Sequence, residues 1–304
     1  MKIAIFGMGG IGGAIGGALA HAFPEDITFI ARGERGRVLA ENGLAIHGDF
    51  LGEYVARPAL VTENPAGAGI QDAIFICVKM PDLAAAAEAV RPMVGNDTLI
   101  VAAMNGLLAA KELQKIYPEN PVTQALLYVV ALKGPDFGII QKGKLSDITM
   151  SALGGNENAA RLTEMMNEAG WTAKLTDDID TVLWDKYVFN CAFNTMTAAL
   201  SCKTGFLKEE AQLSDFKAIV AEGIAAAHAV GVDFDYDMAG KAEYKLIHTG
   251  RDSDSSLARD FAAGRKGEME MFSGDLIRIG EEKGVKMPVL TRYYDMLKEK
   301  SKSF

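Results

Sequence analysis

Lys2-Ile3-Ala4-Ile5-Phe6-Gly7-Met8-Gly9-Gly10-Ile11-Gly12 is the stretch that decides the fold. The apolar run from Ile3 to Phe6 ends in glycine, as a strand buried on both faces does. Helix-compatible sequence follows from about Gly10 to Ala22. In the G-x-G-x-x-G between them, the first glycine permits a tight turn from strand to helix. The second lets the backbone approach a pyrophosphate, and the third lets the helix pack closely on the strand. Backbone N–H groups at the helix start then meet the phosphate charge. Gly7, Met8, Gly9, Gly10, Ile11 and Gly12 are therefore the expected dinucleotide-binding residues. One imitation has to be set aside. From Ile3 to Phe23 there is no Asp, Glu, Lys or Arg, and Ala18-Leu19-Ala20 after Lys2 looks like a signal-peptidase site. Seven glycines in that stretch argue against a membrane helix, since each costs about 1 kcal/mol of helix propensity relative to Ala. The segment is expected to stay uncleaved, as the working start of the fold.

Outward from this turn, Ile27-Thr28-Phe29-Ile30 reads as the second strand of a βαβ unit. An NAD-specific site places Asp or Glu at the end of such a strand. Here the strand runs into Ala31-Arg32-Gly33-Glu34-Arg35. A carboxylate would repel a 2′-phosphate, whereas a guanidinium binds it bidentately. Arg32 thus points to NADPH. The plainer alternative, Arg32 and Arg35 solvating a helix start beside Glu34, stays open. Strands at 73–78 and 98–102, each followed by helical sequence, imply a parallel sheet with right-handed crossovers. Ligands in such sheets collect beyond the carboxyl ends of the strands. Lys79 and Asn105 stand at two of those ends; each alone is an ordinary turn residue, and together they flank a nicotinamide and its ribose. A β-rich stretch from Val122 to Met150, a helix near 156–169 and a strand near 171–175 close a first domain of residues 1–175.

Residues 176–304 read as a second, all-helical domain. The segment from Asp178 to Leu200 predicts one long helix, in which Lys186, Asn190 and Asn194 recur at i, i+4 and i+8 on a single stripe. That stripe lies among Trp184, Tyr187, Val188, Cys191 and Phe193, where polar side chains need partners. Helix-to-helix hydrogen bonds would supply them, and so would a substrate. A helix from about Gly267 to Lys283 places Glu268 with Phe272, Leu276 and Ile279 on its buried face, and Glu270 toward solvent. Ser255-Ser256 precedes another short helix.

The 304 residues are 49% hydrophobic and 23% charged, a soluble globular balance. A net charge of −9 gives no general attraction to nucleic acid or an anionic membrane, so an anionic ligand must be held by local donors. No other segment approaches the roughly 18 apolar residues of a membrane span. Cys77, Cys191 and Cys202 form no CxxC pair and read as buried free thiols in a reducing cytoplasm. No metal site is expected, and the four histidines are scattered.

At Gly7-Met8-Gly9-Gly10-Ile11-Gly12, Arg32, Val78-Lys79, Asn105-Gly106, and above all Leu183-Trp184-Asp185-Lys186 with Asn190 and Asn194, the chain resembles the ketopantoate reductase family. The later Ser256 and Glu268 complete the likeness, which covers essentially the whole length. The resemblance implies an α/β fold, a Rossmann-type doubly wound sheet followed by an all-α C-terminal domain, with a cleft between them. It also implies NADPH-dependent reduction of 2-dehydropantoate to (R)-pantoate on the route to pantothenate and coenzyme A. In that pattern Lys186 is the general acid, and Glu268 binds the substrate hydroxyl and orients Lys186. Asn105, Asn190, Asn194 and Ser256 bind substrate, while Arg32, Lys79 and Asn105 hold the cofactor. The partner is a small 2-oxo acid, with neither nucleic acid nor membrane; a homodimer stays open. Two departures stand out: Thr195 where the family commonly has Pro, and Thr204-Gly205 in place of a later Asn-Gly. They leave room for a paralogous reductase acting on another 2-oxo acid or carbonyl compound. A non-catalytic NADP(H)-binding sensor is a third reading, disfavoured by the presence of a proton donor.

Overall fold

The computed structural model describes residues 1–304, and the chain divides into two compact units, Met1–Ile179 and Asp180–Phe304. In the first, β1 (Ile3–Phe6) leads through the glycine turn into α1 (Gly10–Ala22), β2 (Ile27–Ile30) and α2 (Gly33–Asn42). Three short strands follow, β3 (Leu44–Gly48), β4 (Gly52–Ala56) and β5 (Leu60–Thr62). Next come β6 (Gln71–Ile76), α3 (Leu83–Val90), β7 (Val94–Ala102), α4 (Ala109–Ile116) and β8 (Val122–Gln124). The unit ends with β9 (Leu126–Lys133), β10 (Ile139–Ser151), α5 (Glu157–Glu168) and β11 (Thr172–Thr176).

Six strands in the order β5-β2-β1-β6-β7-β8 form a parallel sheet. Strand residues alternate between two cores, as a sheet covered on both faces requires. Ile3, Ile5, Phe75, Leu99 and Val101 pack toward α1 and α5, while Ala4, Phe6, Ile74, Ile76, Ile100 and Ala102 pack toward α3 and α4. The chain winds from β1 to β2 on one side and to β6 on the other, so the switch in direction falls beside the glycine turn, where ligands of doubly wound sheets bind.

A second sheet, β11-β10-β3-β4 with β9 paired to β10, is mixed in direction. The β-rich character of 122–150 foreshadows part of it, but β3 and β4 are too short and polar to stand out by periodicity. This sheet explains the remaining glycines of α1. A Cβ added at Gly13 would lie 2.4 Å from Ile139 Cδ1, and one at Gly17 would lie 2.5 Å from Ile46 Cδ1, both on the second sheet. On the opposite side of the helix, a Cβ at Gly16 would meet Phe29 at 2.9 Å, and one at Gly12 the Gly7 carbonyl oxygen at 2.1 Å. α1 is thus pressed between two sheets, and its missing side chains are what allow the approach.

The second unit continues α6 (Ile179–Leu200) into α7 (Thr204–Leu207), α8 (Glu210–Ala229), α9 (Met238–His248) and α10 (Ser256–Ala262). A π-helical turn, Glu270–Gly274, leads into α11 (Asp275–Lys283), and α12 (Pro288–Ser301) follows. Val188, Met196, Phe216, Ile219, Phe272, Leu276, Leu290 and Leu297 are its buried apolar side chains. Gly223 of α8 brings that helix onto α6, since a Cβ there would stand 3.0 Å from Val188. The Glu222 carboxylate accepts the Val289 and Leu290 amides at 2.8 and 2.9 Å, capping α12, which begins with Pro288. No helix is long and apolar enough to cross a membrane. The cysteines are all free; only Cys191 is fully buried, Cys77 and Cys202 being partly so.

Gly12→Ala is expected to destabilise the protein by about 1–3 kcal/mol, the scale of overpacking against backbone that cannot yield. Gly67→Ala, at a position with open space around it, is expected to stay within about 0.5 kcal/mol. Chemical denaturation of the two variants checks the difference.

Candidate active site

In the first unit the glycine turn fits a pyrophosphate on three counts. Gly7 holds φ at +97°, a left-handed value natural to glycine. A Cβ at Gly9 would meet nothing within 4 Å, so the space over the turn is open. The N-cap of α1, Gly9, makes no side-chain cap and the first turn holds no acidic residue. The Gly9 amide donates to the Gly7 carbonyl at 2.8 Å, and those of the first helical turn after it are available to an anion, in the positive field of the helix start.

Arg32 stands at the N-cap of α2 in extended backbone, exposed; its carbonyl accepts from the Gly36 amide at 3.4 Å, and its side chain makes no hydrogen bond or ion pair within the chain. Arg35 differs: it is half-buried, donates from Nη2 to the Phe137 carbonyl at 3.0 Å and lies over the Phe137 ring. Burial lowers its pKa from the ordinary guanidinium value. Of the two arginines, only Arg32 is therefore presented to a ligand. Lys79 and Asn105 follow β6 and β7, which pair in parallel with Ile76 opposite Ala102. Lys79 is exposed and Asn105 partly so, with Gly106 at φ +97° turning the chain after it. Arg32 lies to one side of the glycine turn in strand order, and Lys79 and Asn105 lie to the other.

In the second unit α6 runs unbroken through Lys186, Asn190 and Asn194. Asn194 is 5% exposed, and its Nδ2 donates to the Asn190 carbonyl at 3.0 Å. Its Oδ1 accepts from Ser256 Oγ at 3.2 Å and from the Leu257 amide at 3.4 Å. Asn194 and Ser256 thus join α6 to the start of α10 through their side chains, with Asn190 contributing its backbone carbonyl. Ser255 caps that helix on the Ala258 amide at 3.0 Å and accepts from Thr197 Oγ1 at 2.7 Å. The Lys186 ammonium is pushed down to about 8, first by burial and then by repulsion from Lys245. Lys245, on α9, lies with its Nζ 4.2 Å from the centre of the Phe189 ring. Its own pKa is lowered by burial, with Asp185 opposing and Lys241 reinforcing the shift. Asp185 is held by Tyr236 Oη at 2.8 Å and by Lys241.

The uniform helix expected over 267–283 is not what forms. Glu268 precedes the wide π turn Glu270–Gly274, and α11 starts only at Asp275. Such turns are uncommon and recur at functional sites. This one is bound to α6 at two points: Tyr187 Oη donates to the Met271 carbonyl at 2.6 Å, and Thr195 Oγ1 shares a 2.7 Å hydrogen bond with Ser273 Oγ. Glu268 is partly buried, and Glu270 is exposed, accepting from Tyr294 Oη at 2.6 Å. Thr195, at the place of the family's proline, therefore anchors the segment that carries Glu268. Tyr187, Ser273 and Lys245 carried no sign of these contacts in the sequence; an apolar helix face with a buried hydroxyl at Thr195 is the nearest to one. No cluster of His, Cys, Asp and Glu could hold a metal ion.

A doubly wound sheet with an anion-ready glycine turn, and a helical unit with a partly buried lysine of lowered pKa, are parts that suit an oxidoreductase using a nicotinamide dinucleotide. The chain belongs to the ketopantoate reductase PanE/ApbA family, whose model matches residues 3–155 and whose C-terminal model matches residues 178–301. Among curated proteins, a 2-dehydropantoate 2-reductase of Pyrococcus horikoshii is 26% identical, over 99% of this chain and 97% of its own length. Among solved structures, a PanE/ApbA family ketopantoate reductase from Ralstonia eutropha is 26% identical with a TM-score of 0.89, covering 99% of both chains. The fold is shared as well with a dimeric ketopantoate reductase from Staphylococcus aureus, 19% identical with a TM-score of 0.83, again over 99% of each chain. Membership carries the reaction type, oxidation or reduction at a CH–OH group.

A general acid must be protonated, so a reductive rate that depends on Lys186 is full below pH 8 and falls as pH rises through about 8. Lys245→Met removes the repelling charge and leaves the burial, so the alkaline limb is expected to move to higher pH. The pH profile of kcat/KM for carbonyl reduction reads this directly.

Proposed function

We propose that this chain reduces 2-dehydropantoate to (R)-pantoate with NADPH, on the route to pantothenate and coenzyme A. The observation that carries the reading is the group on α6: Lys186 with its lowered pKa one helical turn from Asn190, which Asn194 ties to Ser256. A ketone oxygen gaining hydride becomes an alkoxide and needs positive charge and a proton together. Lys186 supplies both, donating its proton to the C2 oxygen. Bound NADPH supplies the hydride. Glu268 binds the substrate hydroxyl and orients Lys186, and the π turn tied to α6 fixes the start of that segment. Asn190, the second N–H of Asn194 Nδ2 and Ser256 Oγ hold the substrate's carboxylate and hydroxyl groups. Gly7, Met8, Gly9, Gly10, Ile11 and Gly12 hold the pyrophosphate, Arg32 the 2′-phosphate, and Lys79 and Asn105 the nicotinamide side. The setting is the cytoplasm, where three unpaired thiols stay reduced.

A second reading, a paralogous reductase of another 2-oxo acid, draws on Thr204. Its Oγ1 donates to the Ser253 carbonyl at 2.9 Å, and its amide does the same. The hydroxyl that replaces the family's asparagine amide is thus turned into the fold, which favours a substrate needing one polar contact fewer.

A panel of 2-oxo acids followed by NADPH absorbance tests both readings. Ketopantoate is expected to give the highest kcat/KM, and a better substrate among the others would transfer the assignment to the second reading. Lys186→Ala is expected to lower kcat by about 10²- to 10⁴-fold on the best substrate, the usual worth of general acid catalysis. Near-normal kcat in that variant would remove Lys186 from its role.

A homodimer belongs to the same proposal, on the strength of the dimeric Staphylococcus aureus relative. Light scattering is expected to give twice the 32.5 kDa of the chain; a value at one chain mass would count against it.

A further inference from the structure

At the outer edge of the parallel sheet β5 runs beside β2, with Ile30 opposite Thr62. The Ala31 amide donates to the Thr62 carbonyl at 3.0 Å, so the two strands leave the sheet together and Arg32 and Glu63 follow at neighbouring ends. α2 begins at this point. Its N-cap residue, Arg32, has no side-chain acceptor to offer, and Gly33 sits at φ +60°. The cap comes from the neighbouring strand end instead: the Gly33 amide donates to Glu63 Oε2 at 3.3 Å. Glu63 is exposed and the guanidinium of Arg32 does not pair with it.

The end of β2 is where doubly wound sheets discriminate between the two nicotinamide dinucleotides, a carboxylate accepting from the ribose 2′-hydroxyl and a guanidinium donating to the 2′-phosphate. Here both groups are present, delivered by different strands. We propose that Glu63 is a cofactor-selectivity residue: it supplies from β5 the carboxylate missing at the end of β2, and so keeps NADH usable beside NADPH. This rests on the reading of Arg32 as the 2′-phosphate ligand. A 2′-phosphate arriving at Arg32 meets a carboxylate already on the first amide of α2, and like charges within one contact distance oppose each other. To admit the phosphate, Glu63 turns out into solvent, which its exposure allows, and the Gly33 amide passes from carboxylate to phosphate. With NADH the carboxylate keeps the amide through one oxygen and has the other for the 2′-hydroxyl.

The test needs no turnover. Calorimetric titration with 2′,5′-ADP and with 5′-AMP, fragments that differ by the 2′-phosphate, is carried out on wild type, Glu63→Gln and Arg32→Ala. Glutamine keeps the size and the acceptor for Gly33, so only the charge is removed and folding is not at issue. Glu63→Gln is expected to bind 2′,5′-ADP about three- to fivefold more tightly, the scale of one exposed charge contact, with 5′-AMP affinity unchanged or weaker. In steady state the ratio of KM for NADH to KM for NADPH should rise in step. Unchanged affinity for 2′,5′-ADP, or an equal gain for 5′-AMP, overturns the role of Glu63. Arg32→Ala separates the two readings, with about a tenfold loss for 2′,5′-ADP alone expected, as for a charge-assisted hydrogen bond. No loss there overturns the Arg32 reading; a loss there beside an unresponsive Glu63→Gln overturns only Glu63.

Discussion

The close seating of α1 between two sheets governs the first unit. Gly12 and Gly16 let the helix lie against the parallel sheet and its turn, while Gly13 and Gly17 let it lie against β10 and β3. A helix so rich in glycine has poor intrinsic propensity, roughly 1 kcal/mol lost at each such position. Packing on both sides compensates, since the helix flank is buried from Gly12 to Ala20. The same closeness fixes the helix start over the end of β1, which is where the backbone amides have to be for an anion. The packing of α1 and the placing of its first amides thus depend on one set of missing side chains.

Much of the parallel sheet was legible because its strands are buried on both faces and read as continuous apolar runs, each followed by a helix. The second sheet was less so. Leu44 and Ile46 point inward while Ala45 and His47 do not, a five-residue alternation too brief to separate from chance. The glycines of α1 beyond the turn were likewise silent about their purpose, because the partners they approach, Ile46 and Ile139, are distant in sequence. On α6 the i, i+4, i+8 stripe placed Lys186, Asn190 and Asn194 on one helix as expected. The helix-to-helix hydrogen bond named as one alternative does form: Asn194 Oδ1 accepts from Ser256 Oγ across helices, while its Nδ2 donates within α6. The contacts of Tyr187 and Thr195 with Met271 and Ser273 span some 80 residues, and no local pattern encodes such pairs.

Lys186 shows how environment rather than identity sets a side chain's hold on its proton. An exposed lysine holds its proton too tightly to give it up readily near neutral pH. Burial first, and then the charge of Lys245, bring this one to about 8. The neighbouring Asp185, engaged by Tyr236 and Lys241, keeps a carboxylate on α6 while sparing Lys186 from being its only cation. Two adjacent residues of one helix thus live in different electrostatic surroundings: Lys241 bonds to Asp185, and Lys245, which Asp185 attracts, repels Lys186.

The π turn between Glu268 and α11 has a further meaning when read as arithmetic along the chain. A π turn accommodates one residue more than an α turn, and each residue of an α-helix advances the azimuth by about 100°. Glu268 and Leu276 therefore do not share the phase that a straight helix would give them. The turn works as a built-in insertion that takes up one residue while α11 keeps its packing. Removing a single residue between Glu270 and Gly274 would heal the helix and leave Glu268 at its present azimuth, whereas straightening the turn at constant length would swing Glu268 by about a quarter of a revolution. A chain one residue shorter here would therefore keep both the buried face of α11 and the direction of the residue in the place of Glu268.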